Sequence, residues 1–223
     1  MSTPIKKILI LGCPRSGTTA LQQQLSHLFN LTNLNEPYYT DHESSIDYYS
    51  WTSKKNNCII KLLVSNTIYN ESDFDLIKFL NLAKFDLIVI PNRKDLYNLC
   101  ISLYYAERIV KQYFYKNKPD VNIPFTCDLE FINGWLLYTY QRLVDSVAAL
   151  DAHNIPYQIL NCEDYLNDIE QEVNGVKFKI SQLVNGFTDP TIPYRDLCTN
   201  YAEIEPVIND YLKKIHLPLA LRN

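Results

Sequence analysis

The sequence predicts an α/β fold, a three-layer sandwich on a central parallel sheet of about five strands, with residues 1–223 as one domain. Three observations carry that expectation. Short apolar runs rich in β-branched residues recur at 5–13, 58–64, 85–91 and 156–161. Longer amphipathic segments separate them, which is the alternation of a parallel sheet with helices on both faces. The first run ends in a loop with two glycines, Gly12-Cys13-Pro14-Arg15-Ser16-Gly17-Thr18-Thr19, and an amphipathic segment follows at once.

Taken in order, 5–13 reads as a buried strand and 17–29 as a helix. Residues 31–35 form a short strand that leads into Glu36-Pro37. The stretch 38–57 is polar and aromatic without clear periodicity, and reads as loop with a short helix at most. A third strand is expected at 58–64. An amphipathic helix is expected at 72–82, with Asp73 and Asp75 near its start, where negative charge suits the helix dipole. The clearest strand, 85–91, precedes a long tyrosine-rich helix from Asp95 to about Lys116. After a break at 119–124, a second long helix runs over 128–153, and the fifth strand lies at 156–161. The tail from Glu163 reads as two or three shorter helices separated by Gly175, Gly186, Pro190, Pro193 and Pro218. No internal repeat or low-complexity segment is visible.

Hydrophobic residues make up 47% and charged residues 21%, the balance of a soluble globular chain. A net charge of −4 disfavours broad binding to nucleic acid or to an anionic membrane. A polyanionic ligand must then be held by a local cluster of cations. The six cysteines lack C-x-x-C spacing, so no zinc site is expected; several lie in apolar runs, as buried thiols do. That usage fits a reducing, cytoplasmic setting. Lys6-Lys7 precede an apolar run far too short to span a bilayer, so neither signal peptide nor anchor is expected.

Strand, loop, helix is the layout that aims backbone N–H groups and a helix N-terminus at an anion. The ATP-binding loop reads G-x-x-x-x-G-K-[ST]. Gly12 and Gly17 keep that spacing and Thr19 holds the hydroxyl position, but Thr18 stands where the lysine belongs. That lysine reaches the β/γ-phosphates and the hydroxyl after it helps hold Mg²⁺, so its loss argues against a kinase. Arg15, inside the loop, is the nearest fixed cation.

Pro14-Arg15-Ser16-Gly17-Thr18-Thr19 resembles the 5′-phosphosulfate loop of sulfotransferases that use 3′-phosphoadenosine 5′-phosphosulfate (PAPS), P-[RK]-S-G-[ST]-[ST]. The resemblance implies a P-loop NTPase-like fold and places the 5′-phosphosulfate against Arg15, Ser16, Gly17, Thr18 and Thr19. In that family a second strand ends in an arginine, and a serine follows on the next helix; together they bind the 3′-phosphate. Arg93 and Ser102 match them, although Lys94-Asp95 replaces the usual D-P. Asn35-Glu36-Pro37 resembles the x-E-P segment of the carbohydrate and bacterial types, where a glutamate is the proposed general base. The cytosolic aryl enzymes use a histidine from K-x-H; here the segment is Lys61-Leu62-Leu63, so the chain is nearer the former. Lys61 then matches the lysine that steadies the transferring group, and His42 is a reserve base. Cys162-Glu163-Asp164-Tyr165-Leu166 resembles a Y-E-D-L segment and reads as a structural brace. Aromatic residues Tyr38, Tyr39, Tyr48, Tyr49 and Trp51 read first as core packing, with the wall of an acceptor pocket beside Glu36 as the alternative.

The expected activity is sulfuryl transfer from PAPS to a small-molecule or carbohydrate hydroxyl, without a metal. Glu36, Arg15 and Lys61 would be its catalytic groups. A nucleotide kinase with a degenerate loop and a non-catalytic nucleotide-binding protein are the alternatives. The acceptor and the oligomeric state are not written in the sequence.

Overall fold

The computed structural model describes residues 4–36, 45–65, 74–109, 124–166, 169–179 and 194–222. Five strands, β1 (Lys7–Gly12), β2 (Thr32–Asn33), β3 (Cys58–Leu63), β4 (Leu87–Asn92) and β5 (Gln158–Asn161), form one sheet in the order β2-β3-β1-β4-β5. Every neighbouring pair is parallel. The helices are α1 (Thr18–Leu28), α2 (Ser45–Ser53), α3 (Leu76–Ala83), α4 (Leu96–Tyr104), α5 (Leu129–Trp135), α6 (Gln141–Ala152), α7 (Cys162–Leu166), α8 (Tyr194–Leu197) and α9 (Tyr201–Lys214).

Strand alternation sorts β1 onto two cores. Leu9 and Leu11 face one side with Tyr48, Phe79, Ile101, Leu136, Val147 and Ile204, covered by α2–α6 and α9. Ile8 and Ile10 face the other with Leu21, Leu25, Leu160 and Phe178, covered by α1 and a two-stranded hairpin. Every residue of β1 is buried, and each such Ile or Leu contributes about 1.5–3 kcal/mol. Lys7, at the lower end of β1, holds its ammonium 5.2 Å from the Phe85 ring centroid and donates it to the carbonyls of Thr52 and Ala83, in the last turns of α2 and α3.

Four expectations are corrected or made definite. The tail contains an antiparallel hairpin, β6 (Gln171–Val173) with β7 (Val176–Phe178), instead of helix alone. Its turn is Asn174-Gly175, with φ of 51° and 79°, the two-residue connection that asparagine and glycine favour. Gly186, Pro190 and Pro193 lie outside the described residues. Second, the short helix allowed within 38–57 is present and lies at 45–53, where Tyr48 and Tyr49 pack on Phe79 with ring centroids 5.2 and 5.5 Å away and so stabilise a weak local pattern. Third, the two long helices each carry a π-turn, Tyr105–Ile109 after α4 and Leu136–Tyr140 between α5 and α6. Fourth, β2 spans two residues rather than five. Ser72, Asp73 and the end of the tyrosine-rich helix toward Lys116 lie outside the described residues.

Candidate functional site

The site is built on the loop between β1 and α1, where the chain leaves the middle of the sheet. Its neighbours β3 and β4 flank β1 on opposite sides, which puts the loop where the strand order reverses. Val64 N–H donates to the Gly12 carbonyl at 3.0 Å and fixes the start of the loop to the end of β3. A Cβ on Gly12 would lie 3.0 Å from both Pro91 Cγ and Thr18 Cγ2, a fit so tight that either neighbour would have to give way. Ser16 is buried and turns inward, its hydroxyl donating to the Cys13 carbonyl at 2.7 Å. Arg15 holds a left-handed backbone, φ 66°, a costly state for a residue with a Cβ. Gly17, φ 73°, is the N-cap of α1 and no side chain caps that end. Helices α3, α4 and α5 are each capped by an aspartate, Asp75, Asp95 and Asp128. The first-turn amides of α1 are thus presented to the loop.

One cluster approaches from the β4 side. Arg93 Nη1 donates to the Arg15 carbonyl at 3.1 Å and to Ser102 Oγ at 3.2 Å. Ser102 is fully buried on α4 and its hydroxyl donates to the Leu99 carbonyl at 2.9 Å, so it acts on a ligand only through Arg93. Glu163 Oε1 lies 3.8 Å from Arg93 Nε, and its two oxygens accept from the N–H groups of Lys94 and Asp95 at 3.1 and 3.2 Å. The expected brace is therefore a tie across β4 and β5 that sets the Arg93 turn. Asp95 caps α4 through Asn98 N–H at 2.9 Å and does not pair with Arg93. The Arg15 guanidinium reaches Tyr194, Nη2 donating to its hydroxyl at 3.3 Å.

A second cluster approaches from the β3 side. Lys61 is 3% exposed, yet its ammonium lies 2.7 Å from Glu36 Oε1 and donates to Thr19 Oγ1 at 2.9 Å. Asn35 aims Glu36: φ is 53° there, and its carbonyl accepts from Lys61 N–H and from Gln22 Nε2. Two separated strands and α1 are needed to bring these groups together.

The structure thus groups Arg15, Arg93 and Ser102 on one flank of the loop and Glu36, Lys61 and Thr19 on the other. Gly17 and the buried Thr18 lie between. Tyr194, past the last recognisable motif, joins them with no sequence signal that marks it. Cys13 is buried within the loop, and burial pushes its thiol far above the usual range, which rules it out as a nucleophile. Of the two readings of the aromatic group, core packing holds at Tyr48 and Tyr49 and the pocket wall does not; Trp51 stacks on Tyr48 with the Lys55 ammonium over its ring. Tyr38, Tyr39 and His42 lie outside the described residues. Among the described residues no helix is long and apolar enough to cross a membrane. No protein-family model matches this chain, and no curated protein matches it.

Proposed function

We propose that the chain is a PAPS-dependent sulfotransferase with a P-loop-like sandwich. It would transfer a sulfuryl group to a hydroxyl acceptor and release 3′,5′-ADP and a sulfate ester. The observation that carries the reading is that Lys61, on β3, bonds to Thr19 at the start of α1 while Arg93, just past β4, bonds to the Arg15 carbonyl of the loop before it, from opposite sides. Such an arrangement suits a ligand with two anionic ends.

The residues present fit that co-substrate. An uncapped first turn of α1 and a loop start closely packed around Gly12 make a backbone cradle for the 5′-phosphosulfate, with Arg15, Ser16, Gly17, Thr18 and Thr19 as its members. Arg93, steadied by Ser102 and Glu163, would take the 3′-phosphate. When bound, PAPS supplies the activated sulfuryl group. Glu36 Oε1 is engaged by Lys61, which leaves Oε2 to accept the proton of the acceptor hydroxyl as its oxygen bonds to sulfur. The bond from sulfur to the 5′-phosphate oxygen breaks, and Arg15 and Lys61 offset the charge that develops.

The kinase reading fares worse on one contact. Thr19, the hydroxyl that would help hold Mg²⁺, already accepts a bond from the Lys61 ammonium. Thermal shift tests the proposal first: 3′,5′-ADP should raise Tm more than ATP with Mg²⁺. Equal shifts overturn it. Selective binding of 3′,5′-ADP with no transfer of label from PAPS to a broad hydroxyl panel would identify a non-catalytic binding protein instead.

A further inference from the structure

Away from the loop, two segments distant in sequence are laced into a seam. Phe125 N–H donates to the Leu197 carbonyl at 2.9 Å, and Thr199 N–H to the Phe125 carbonyl at 2.8 Å. The Asn200 carboxamide completes it, accepting from Cys127 N–H and donating to the Cys127 carbonyl, both at 2.9 Å. Cys127 and Cys198 face each other within this seam, with their sulfurs 3.7 Å apart. Both are free, buried thiols beside the exposed hydroxyl pair of Thr126 and Thr199.

We propose that Cys127 and Cys198 form a reversible dithiol–disulfide site, selective over the other four cysteines, and that its oxidant is a hydroperoxide. The geometry supplies each requirement. The backbone ladder holds the two sulfurs less than 2 Å from bonding distance, so closure asks for side-chain rotation and a small backbone shift. Cys13 and Cys100 lie in the core, where burial keeps both thiols protonated. Cys58 is buried at the lower end of β3, and Cys162 is buried at the start of α7.

The two sulfurs are not equivalent. With both protonated, Cys198 donates to Asn200 Oδ1 at 3.4 Å. On ionisation hydrogen bonds from Cys127 and from the backbone favour the thiolate at Cys198 and lower its thiol, while Cys127 is held protonated and pushed upward. Cys198 is therefore the attacking sulfur. Its thiolate takes the terminal oxygen of the hydroperoxide as the O–O bond breaks; the expelled alkoxide picks up a proton and leaves as an alcohol. Cys127 then loses its proton and attacks the Cys198 sulfenic sulfur, and the displaced hydroxide leaves as water. Two thiols and one hydroperoxide give one disulfide, one alcohol and one water.

The experiment treats the full chain with hydrogen peroxide and maps its peptides without reduction. The expected product is the Cys127–Cys198 cross-link, 2 Da lighter, reversed by dithiothreitol, with the other four cysteines unmodified. Closing so long a loop should raise Tm by about 5–15 °C over the reduced form. In Cys127→Ser a sulfenic acid should be trapped at Cys198 by dimedone; in Cys198→Ser, Cys127 should show none. The untreated variants' Tm and circular dichroism check that each remains folded. Oxidation spread over the cysteines, a different disulfide, or trapping at Cys127 in preference to Cys198 each overturns the proposal. Because wild type is read by mass alone, a folding failure in a variant leaves that test standing. None of these outcomes depends on the proposed transferase activity.

Discussion

Lys61 Nζ stands 2.7 Å from Glu36 Oε1 and 2.9 Å from Thr19 Oγ1, so one buried ammonium joins a carboxylate beyond β2 to the first turn of α1. Under the proposed reaction Glu36 takes a proton and Lys61 stays charged. Glu36→Gln keeps an acceptor for Lys61 but removes the base. Its kcat should fall by about 10²–10⁴, with the Kd for 3′,5′-ADP within about threefold of wild type. Steady-state kinetics with calorimetry reads both. More than a tenth of wild-type kcat would falsify the base assignment.

Lys61→Met leaves Glu36 without its cation in a half-buried place. A stability loss of about 1–3 kcal/mol is expected in urea unfolding. The double variant Lys61→Met with Glu36→Gln should recover part of that loss, because the stranded charge is gone. An additive double variant would show that the two groups do not interact.

Arg93 donates to the Arg15 carbonyl, and Glu163 braces its turn. Arg93→Ala should erase the preference for 3′,5′-ADP over 5′-AMP, a loss of at least about tenfold, or about 1.4 kcal/mol. Binding of 5′-AMP itself should change by less than about threefold. Glu163→Gln should cost about three- to tenfold for 3′,5′-ADP, and little further once Arg93 is alanine. Calorimetric titration of the cycle separates a ligand contact from a general loss of fold.

Two glycines should respond oppositely to alanine. Gly12→Ala drives a methyl against Pro91 and Thr18, at a cost of about 1–3 kcal/mol, and should abolish 3′,5′-ADP binding. Gly134, inside α5, has open space where its Cβ would go, so Gly134→Ala should add about 0.5–1 kcal/mol. Urea midpoints of the two variants give the comparison directly.

Chelation separates the transferase from its rival. Excess EDTA should leave label transfer from PAPS within about twofold, because a lysine ammonium occupies the Thr19 hydroxyl. Full dependence on added Mg²⁺ would favour phosphoryl transfer.

Much of the frame was readable before the coordinates. β1, β3 and β4 are mostly apolar runs bounded by polar turns, with Lys7, Lys61 and Asn92 as their polar members, so their existence and parallel pairing follow from period and length. The loop was readable because glycine spacing is local. What stayed hidden depended on contacts far apart in sequence. Tyr194 reaches Arg15 across the molecule, and nothing in its own neighbourhood marks it. Helix α2 is stabilised by Tyr48 and Tyr49 on Phe79, and the Tyr49 hydroxyl accepts from Asp75 N–H at 2.6 Å; no window around 45–53 contains those partners. The hairpin is a different kind of miss: Val173-Asn174-Gly175-Val176 is a legible turn signal, masked by reading glycine as a helix separator. Ser102 was recognisable as a partner of Arg93, but its complete burial behind that guanidinium was not.

The central place of β1 also sets a timetable for synthesis. Ile8 pairs with Ile59 on one edge and Leu87 on the other, so β1, made before every other strand of this sheet, waits longest for company. At roughly 5–20 residues per second, the second partner appears only after several seconds. Throughout that interval the nascent segment offers an apolar ribbon with unsatisfied amides, the kind of surface that trigger-type chaperones shield and neighbouring polysomal chains can capture. Yield in a heterologous host should therefore depend on translation speed and temperature more steeply than the finished molecule's own durability would suggest.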